Sequence, residues 1–213
     1  MAQNPGYFCC AEHDPSPPAR LTSLYALDFN PETVSWGGVY VDFSRVITSV
    51  TSFMNDEGHP YALIGGLSMA AYGMVRTTLD VDLVTTTEAQ EGLVEFLESM
   101  GYDTVHRSSG YSNHHHPDSA LGAVDVVYVQ GTTGQELFSA VRTVAGPDET
   151  SIPVLRAEHL AAMKIFAIKN DPTRTFAELE DIRFLLTLPE VDRDEIRGYF
   201  EKHGLGNLYA ELE

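Results

Sequence analysis

The sequence predicts an α+β fold, a mixed β-sheet with helices packed on it and a helical C-terminal segment behind. Three observations point there. Apolar residues recur at helical spacing early in the chain, short runs in its middle read as strands, and after Gly131 the pattern is almost wholly helical.

Taken in order, residues 1–41 are rich in Pro, Ser, Asn and Asp and lack periodicity. They are expected to form a partly irregular N-terminal arm, docked through Leu24, Tyr25, Leu27 and Trp36. Residues 42–150 carry an α/β core and residues 151–213 a helical segment, with a soft boundary near 150. Asp42 is placed to cap the first helix, whose stripe is Phe43, Val46, Ile47, Val50, Phe53 and Met54. Gly58 and Pro60 end it.

"YALIG" reads as a short buried strand, followed by Gly65-Gly66 and a small apolar helix from Leu67 to Tyr72. "TLDVDLVT" is the next strand. Thr87 opens another helix, with Gln90 at the capping-box position and Leu93, Phe96, Leu97 and Met100 as its buried stripe; Gly101 stops it. Residues 102–130 are expected to hold two strands, the second being "AVDVVYVQ", separated by the polar loop "RSSGYSNHHHPDSALG". Helices follow at 134–142, 157–170, 174–187 and 192–203, with "SIPVL" as a last strand.

Thirteen basic residues against 31 acidic ones give a formal charge of −18 over 213 residues. That argues against a broad phosphate-neutralising surface of the kind nucleic-acid binding uses. No run is long enough to span a bilayer, and the N-terminus lacks a basic start followed by an apolar stretch. Cys9 and Cys10 are adjacent and poorly placed to bond each other, so a reducing, cytoplasmic setting without membrane association is expected.

The chemistry concentrates in one place. In "LDVDL" Asp80 and Asp82 sit two apart on a strand, so both project to one face, about 6.5–7 Å apart. Leu79, Val81 and Leu83 are expected to face the core. Two such carboxylates repel each other unless a cation joins them, and oxygen donors suit Mg²⁺. The plain alternative is an edge strand with two solvated aspartates. Asp125, inside the apolar run from Val124 to Val129, is a third carboxylate that is costly to bury unpaired. A strand laid beside "LDVDL" would bring it to the same cluster.

Gly65-Gly66 at a strand-to-helix turn would let backbone N–H groups approach a phosphate, with the Ser68 hydroxyl in the same turn. Arg76 lies between the glycines and the aspartates and suits bidentate phosphate contact. Lys164, with Leu160 and Ile168 on its helical flanks, is expected to point into the cleft toward a phosphate rather than snorkel to water. Arg174, Glu178 and Asp181 read as the solvated face of the following helix, and His114, His115 and His116 as part of a solvated loop. No GxxxxGK[ST], GxGxxG or GxSxG template occurs.

"GGLSMAAYGMVRTTLDVDL" resembles the signature of the DNA polymerase beta-like nucleotidyltransferase superfamily, in particular its small prokaryotic AbiEii-type toxin branch and related nucleotidyltransferase-like domains. "LRAEHLAAMKIFAIKNDPTRTFAELEDIRFLL" is similar to the helical segment of those branches, and the likeness spans roughly residues 44 to 190. It departs from the pattern at Gly66, where a Ser is common, and at Ala177-Glu178, where related segments read Lys-Asp.

The resemblance implies a mixed β-sheet nucleotidyltransferase core and a transfer of NMP from an NTP to a hydroxyl. The acceptor would be RNA or tRNA, a protein or a small molecule, and a toxin-like role would bring an antitoxin partner. By the same resemblance, Gly65, Gly66 and Ser68 cradle the triphosphate. Asp80 and Asp82 hold two Mg²⁺ (or Mn²⁺) ions, and Asp125 holds one and helps deprotonate the acceptor. The competing reading is a catalytically silent nucleotide-binding regulatory module with the same fold.

Overall fold

The computed structural model describes residues 41–74, 78–146 and 150–212. The arm with Leu24, Tyr25, Leu27, Trp36 and the cysteine pair lies outside the described residues, as does Arg76.

The first helix, α1 (Phe43–Asp56), starts where Asp42 accepts a hydrogen bond from the Arg45 N–H at 3.0 Å, and it buries Val46, Ile47, Val50 and Met54. Strand β1 (Tyr61–Leu63) leads into helix α2 (Gly65–Ala71), and β2 (Asp80–Thr86) follows. A 3₁₀ turn at Thr87–Ala89 opens α3 (Gln90–Ser99). The expected capping box is absent, because Gln90 Nε2 donates instead to the Ser108 carbonyl at 2.7 Å and ties the helix to the next hairpin.

That hairpin is β3 (Asp103–Arg107) and β4 (Tyr111–His115), followed by β5 (Ala123–Val129) and α4 (Gly131–Ser139). The chain continues through β6 (Arg142–Ala145), β7 (Ser151–Val154), α5 (Ala157–Asn170), α6 (Thr175–Leu185), α7 (Arg193–Lys202) and α8 (Gly206–Tyr209).

Seven strands form one mixed sheet in the order β3-β4-β5-β2-β1-β7-β6. β2 runs parallel to β5, while β1–β2, β4–β5, β3–β4 and β6–β7 are antiparallel. The expected α+β architecture is the observed one.

Strand β4 corrects the polar loop expected at residues 107–122. Its buried face carries Ser112 and His114, which satisfy each other: Ser112 Oγ is 2.8 Å from His114 Nε2 and 2.7 Å from the Tyr128 hydroxyl. Thr104 Oγ1 lies 3.2 Å from His114 Nδ1. The solvated reading of His114 is therefore corrected, since the ring is buried and burial holds its pKa below the ordinary histidine range.

The sheet separates two apolar cores. Val81 and Leu83 of β2 and Val124, Val126 and Tyr128 of β5 pack with α1 and α3. On the other face Val84, Val127 and Val129 pack with α2, α4, α5, α6 and α7. Asp80, Asp82 and Asp125 project from that second face, nearer the starts of their strands than the valines buried under the helices. Leu79, expected in the core, is half exposed and precedes β2.

Candidate active site

The parallel pairing of β2 with β5 sets Asp82 directly opposite Asp125, with Asp80 opposite Ala123. Alternation along both strands puts the three carboxylates on one face. One oxygen from each lies within 4.8 Å of the others, and all three residues are partly buried. Among the described residues this is the grouping of acidic, histidine or cysteine side chains able to converge on an ion. With only carboxylate donors, it suits a hard divalent cation.

Each acid is held differently. Asp80 Oδ1 accepts from the Leu79 N–H at 2.9 Å and from Thr78 Oγ1 at 3.1 Å. Asp125 Oδ1 accepts from Asn113 Nδ2 at 2.8 Å, across the β4–β5 ladder in which Asn113 pairs with Asp125. Asp82 carries the electrostatic load. Burial pushes its carboxyl up to about 6, repulsion from Asp80 and Asp125 adds to the rise, and Lys164 and Arg174 pull against it. A cation among the three would remove the repulsion that raises it.

The glycine pair is explained by this carboxylate. Gly65 has φ +64°, and a Cβ there would fall 1.9 Å from Asp82 Oδ2. At Gly66 a Cβ would meet the Thr78 Cβ at 2.9 Å. The turn thus lies against the aspartate strand with no room for side chains. Ser68 is fully buried, and its hydroxyl donates to the Gly65 carbonyl at 2.8 Å, bracing the turn from within rather than facing outward.

Lys164 is also buried, and its Nζ donates to Glu178 Oε2 at 3.1 Å and to Asp181 Oδ2. Arg174, itself exposed, reaches the other oxygen of Glu178. Glu178 and Asp181 are therefore not the solvated face expected from the sequence; at 5% and 2% exposure they are interior partners of a buried lysine. The helical repeat placed them beside Leu179 and Ile182 but gave no sign that α5 would present a cation to them. Asn113 was missed for a related reason: without β4 there was no strand to put it opposite Asp125. A cavity of about 660 Å³ lined by Arg183, Arg193, Arg197 and Tyr209 opens elsewhere, and none of the three aspartates lines it.

A solution structure of the antibiotic-resistance factor ANT(2'')-Ia aligns with a TM-score of 0.59 at 16% identity, covering 79% of this chain and 94% of that one. A crystal structure of ANT(2'')-Ia with adenylyl-2''-tobramycin aligns at 0.51 and 13% identity, covering 79% and 95%. The chain has the nucleotidyltransferase fold. The lincosamide antibiotic adenylyltransferase LnuA, lincomycin-bound, aligns at 0.47 and 15% identity over 70% of this chain and 99% of that one, too weakly to argue from. No protein-family model matches the sequence, and no curated protein matches it. Among the described residues no helix is long and apolar enough to cross a membrane.

Proposed function

We propose that this protein is a Mg²⁺-dependent nucleotidyltransferase that moves NMP from an NTP to the hydroxyl of an acceptor. The observation that carries the reading is the convergence of Asp80, Asp82 and Asp125 within 4.8 Å on two paired strands.

In the proposed reaction the acceptor oxygen bonds to the α-phosphorus and the bond to the β-phosphate breaks. Pyrophosphate leaves with the electron pair, and the hydroxyl proton passes to Asp125 and then to solvent. Bound Mg²⁺, with Mn²⁺ as a substitute, would supply charge neutralisation to the triphosphate and acidify the hydroxyl. Asp80 and Asp82 would hold the ions, and Asp125 would share one. With Gly65 tight against Asp82 and Gly66 against Thr78, backbone rather than side chain would face the triphosphate. Arg76 and Lys164 would supply cations to it, Lys164 only on exchanging Glu178 or Asp181 for phosphate.

A small-molecule acceptor is favoured over RNA. The chain carries −18, and ANT(2'')-Ia, which shares the fold, is found with adenylyl-2''-tobramycin. A toxin role would instead require a cellular RNA or protein to take the label. The second reading, a silent nucleotide-binding module, draws on the engagement of Lys164 by two acids.

One experiment separates these. The protein is incubated with α-labelled NTPs, Mg²⁺ and either cell extract or candidate small molecules. Transfer of label that disappears in Asp82→Asn and Asp125→Asn supports the enzyme. Nucleotide binding without transfer to any acceptor overturns it in favour of the module.

A further inference from the structure

We propose that His159 is an acid-sensitive latch between α5 and α7: on taking a proton at Nε2 it expels the Arg156 guanidinium and frees the first two turns of α7. The proposal does not rest on the transfer reaction, since none of these residues belongs to the aspartate site.

Arg156 stands between β7 and α5, as the residue before Ala157. Its Nε and Nη2 both donate to His159 Nε2, at 3.2 and 3.1 Å. The same Nη2 donates to Glu195 Oε1 on α7, and Nη1 lies 3.4 Å from Glu158 Oε2. Around this fork the two helices close further. The Tyr199 hydroxyl donates to Glu195 Oε1 at 2.6 Å, and Glu158 Oε1 accepts from the N–H of Asp192, the cap of α7, at 2.8 Å. One guanidinium therefore holds an imidazole and two carboxylates on two helices.

The fork also fixes the state of the ring. Two N–H donors on Nε2 require a lone pair there, so the proton of the neutral imidazole sits on Nδ1. That Nδ1 is buried and meets no hydrogen-bond partner among the described residues, in a residue 6% exposed. The ring is thus a buried base whose one lone pair is occupied by a cation. Protonation at Nε2 turns the acceptor into a donor, so the bonds to Nε and Nη2 are lost together and two positive groups are left in contact. Because Nη2 is shared, the pose that serves Glu195 goes with them. The Arg156 side chain, 30% exposed, has water to retreat into. The imidazolium, a donor at both nitrogens, competes for the oxygens that Arg156 held.

Charge reaches the ring from three helices. Arg156 and Glu158 stand at the start of α5, Glu195 and Tyr199 on α7, and Glu136 on α4. Burial is the largest influence and holds the ring below the ordinary histidine range; Arg156 acts in the same direction, and the three glutamates oppose it. The unfolded chain takes up this proton near pH 6.5, as an ordinary histidine does, while the folded ring resists it. The stability contributed by the group is therefore full above about pH 6.5 and is lost as pH falls through the folded value. Ile196 and Phe200 are fully buried and hold α7 by apolar contact alone. Acid thus loosens the polar N-terminal turns and leaves the helix seated.

The test follows the full chain by NMR from about pH 7.5 to about pH 5. At neutral pH the ring nitrogens of His159 are expected to report the Nδ1–H tautomer. As that ring titrates, the exchange protection of the amides of residues 195–199 is expected to fall about tenfold, while that of α6 holds. His159→Gln, whose side-chain oxygen still accepts from Arg156 but does not titrate, is expected to abolish the change. Asp82 titrates in the same window, but it is common to both proteins and cancels in the comparison. An Nε2–H tautomer at neutral pH, unchanged protection of α7 down to about pH 5, or an equal fall in His159→Gln overturns the proposal. The tautomer and the coincidence of ring titration with α7 exchange are read on the wild-type chain, so they decide the matter even where His159→Gln fails to fold.

Discussion

Two clusters of ionisable side chains lie close enough to feel each other, and they are built on opposite rules. On α5 and α6, buried Lys164 is answered by Glu178 and Asp181, and Arg174 closes the set. On β2 and β5, Asp80, Asp82 and Asp125 face one another, and Asp82 is driven up to about 6 by burial and repulsion, against the pull of Lys164 and Arg174. The first cluster pairs opposite charges and ties α5 to α6. The second gathers like charges, and a cation would relieve their repulsion. The difference is one of sign pairing, visible in the geometry without any appeal to composition.

The largest expected effect is on transfer. Asp82→Asn should cut it by about three orders of magnitude or more, roughly 4 kcal/mol of transition-state stabilisation. In the metal-free protein the same change should raise stability by about 1–3 kcal/mol by removing the repulsion. Labelled-NTP assays and urea unfolding check the two halves. A loss of both activity and stability would erase the contrast between the clusters.

The helix cluster predicts the reverse sign. Lys164→Met strands two buried carboxylates and should cost about 3–5 kcal/mol in urea unfolding, partly restored by adding Asp181→Asn. An unchanged midpoint would mean that this set is as dispensable as a surface pair.

A pH series sharpens the comparison. Folding raises the Asp82 pKa from an ordinary 3.8 to about 6. Between those values the folded state keeps a proton that the unfolded chain has lost. This group's contribution to stability therefore declines as pH rises from about 4 to about 6 and is constant above, by at most about 3 kcal/mol. The decline should appear as a difference between wild type and Asp82→Asn, measured without metal, and saturating Mg²⁺ should shrink it. A difference that grows with pH above 7 would contradict it.

The smallest effect concerns Asn113, whose amide holds one oxygen of Asp125. Asn113→Ala should weaken Mn²⁺ binding about tenfold, followed by the ion's paramagnetic signal, with stability altered by no more than about 1 kcal/mol.

What the sequence made legible follows the same division. Asp42 as a cap, the stripe of α1 and the two aspartate strands could be read because each is a local pattern with one periodic solution. The meeting of Asp125 with Asp82 was readable too, because an acid in so apolar a run has few other uses. Strand β4 was not, since its inward residues Ser112 and His114 are polar and become tolerable only through Tyr128 and Thr104, which lie on other strands. The short strand β6 offered too few residues to show an alternation. Lys164 was expected to face a phosphate; in the fold it meets Glu178 and Asp181, which belong to the next helix and which helical spacing alone made look solvated.

The side-by-side placement of Asp82 and Asp125 also bears on how the chain finds its shape. Moving β5 along β2 by a single position would turn its acid inward among Leu83, Leu93 and Leu97 and send a valine out to water. Oil would have to swallow a naked charge, a misfit worth several kcal/mol. The same aspartate that is proposed to hold a metal thus polices the alignment of the central strands, and an assembly error there betrays itself in the folding of the chain alone.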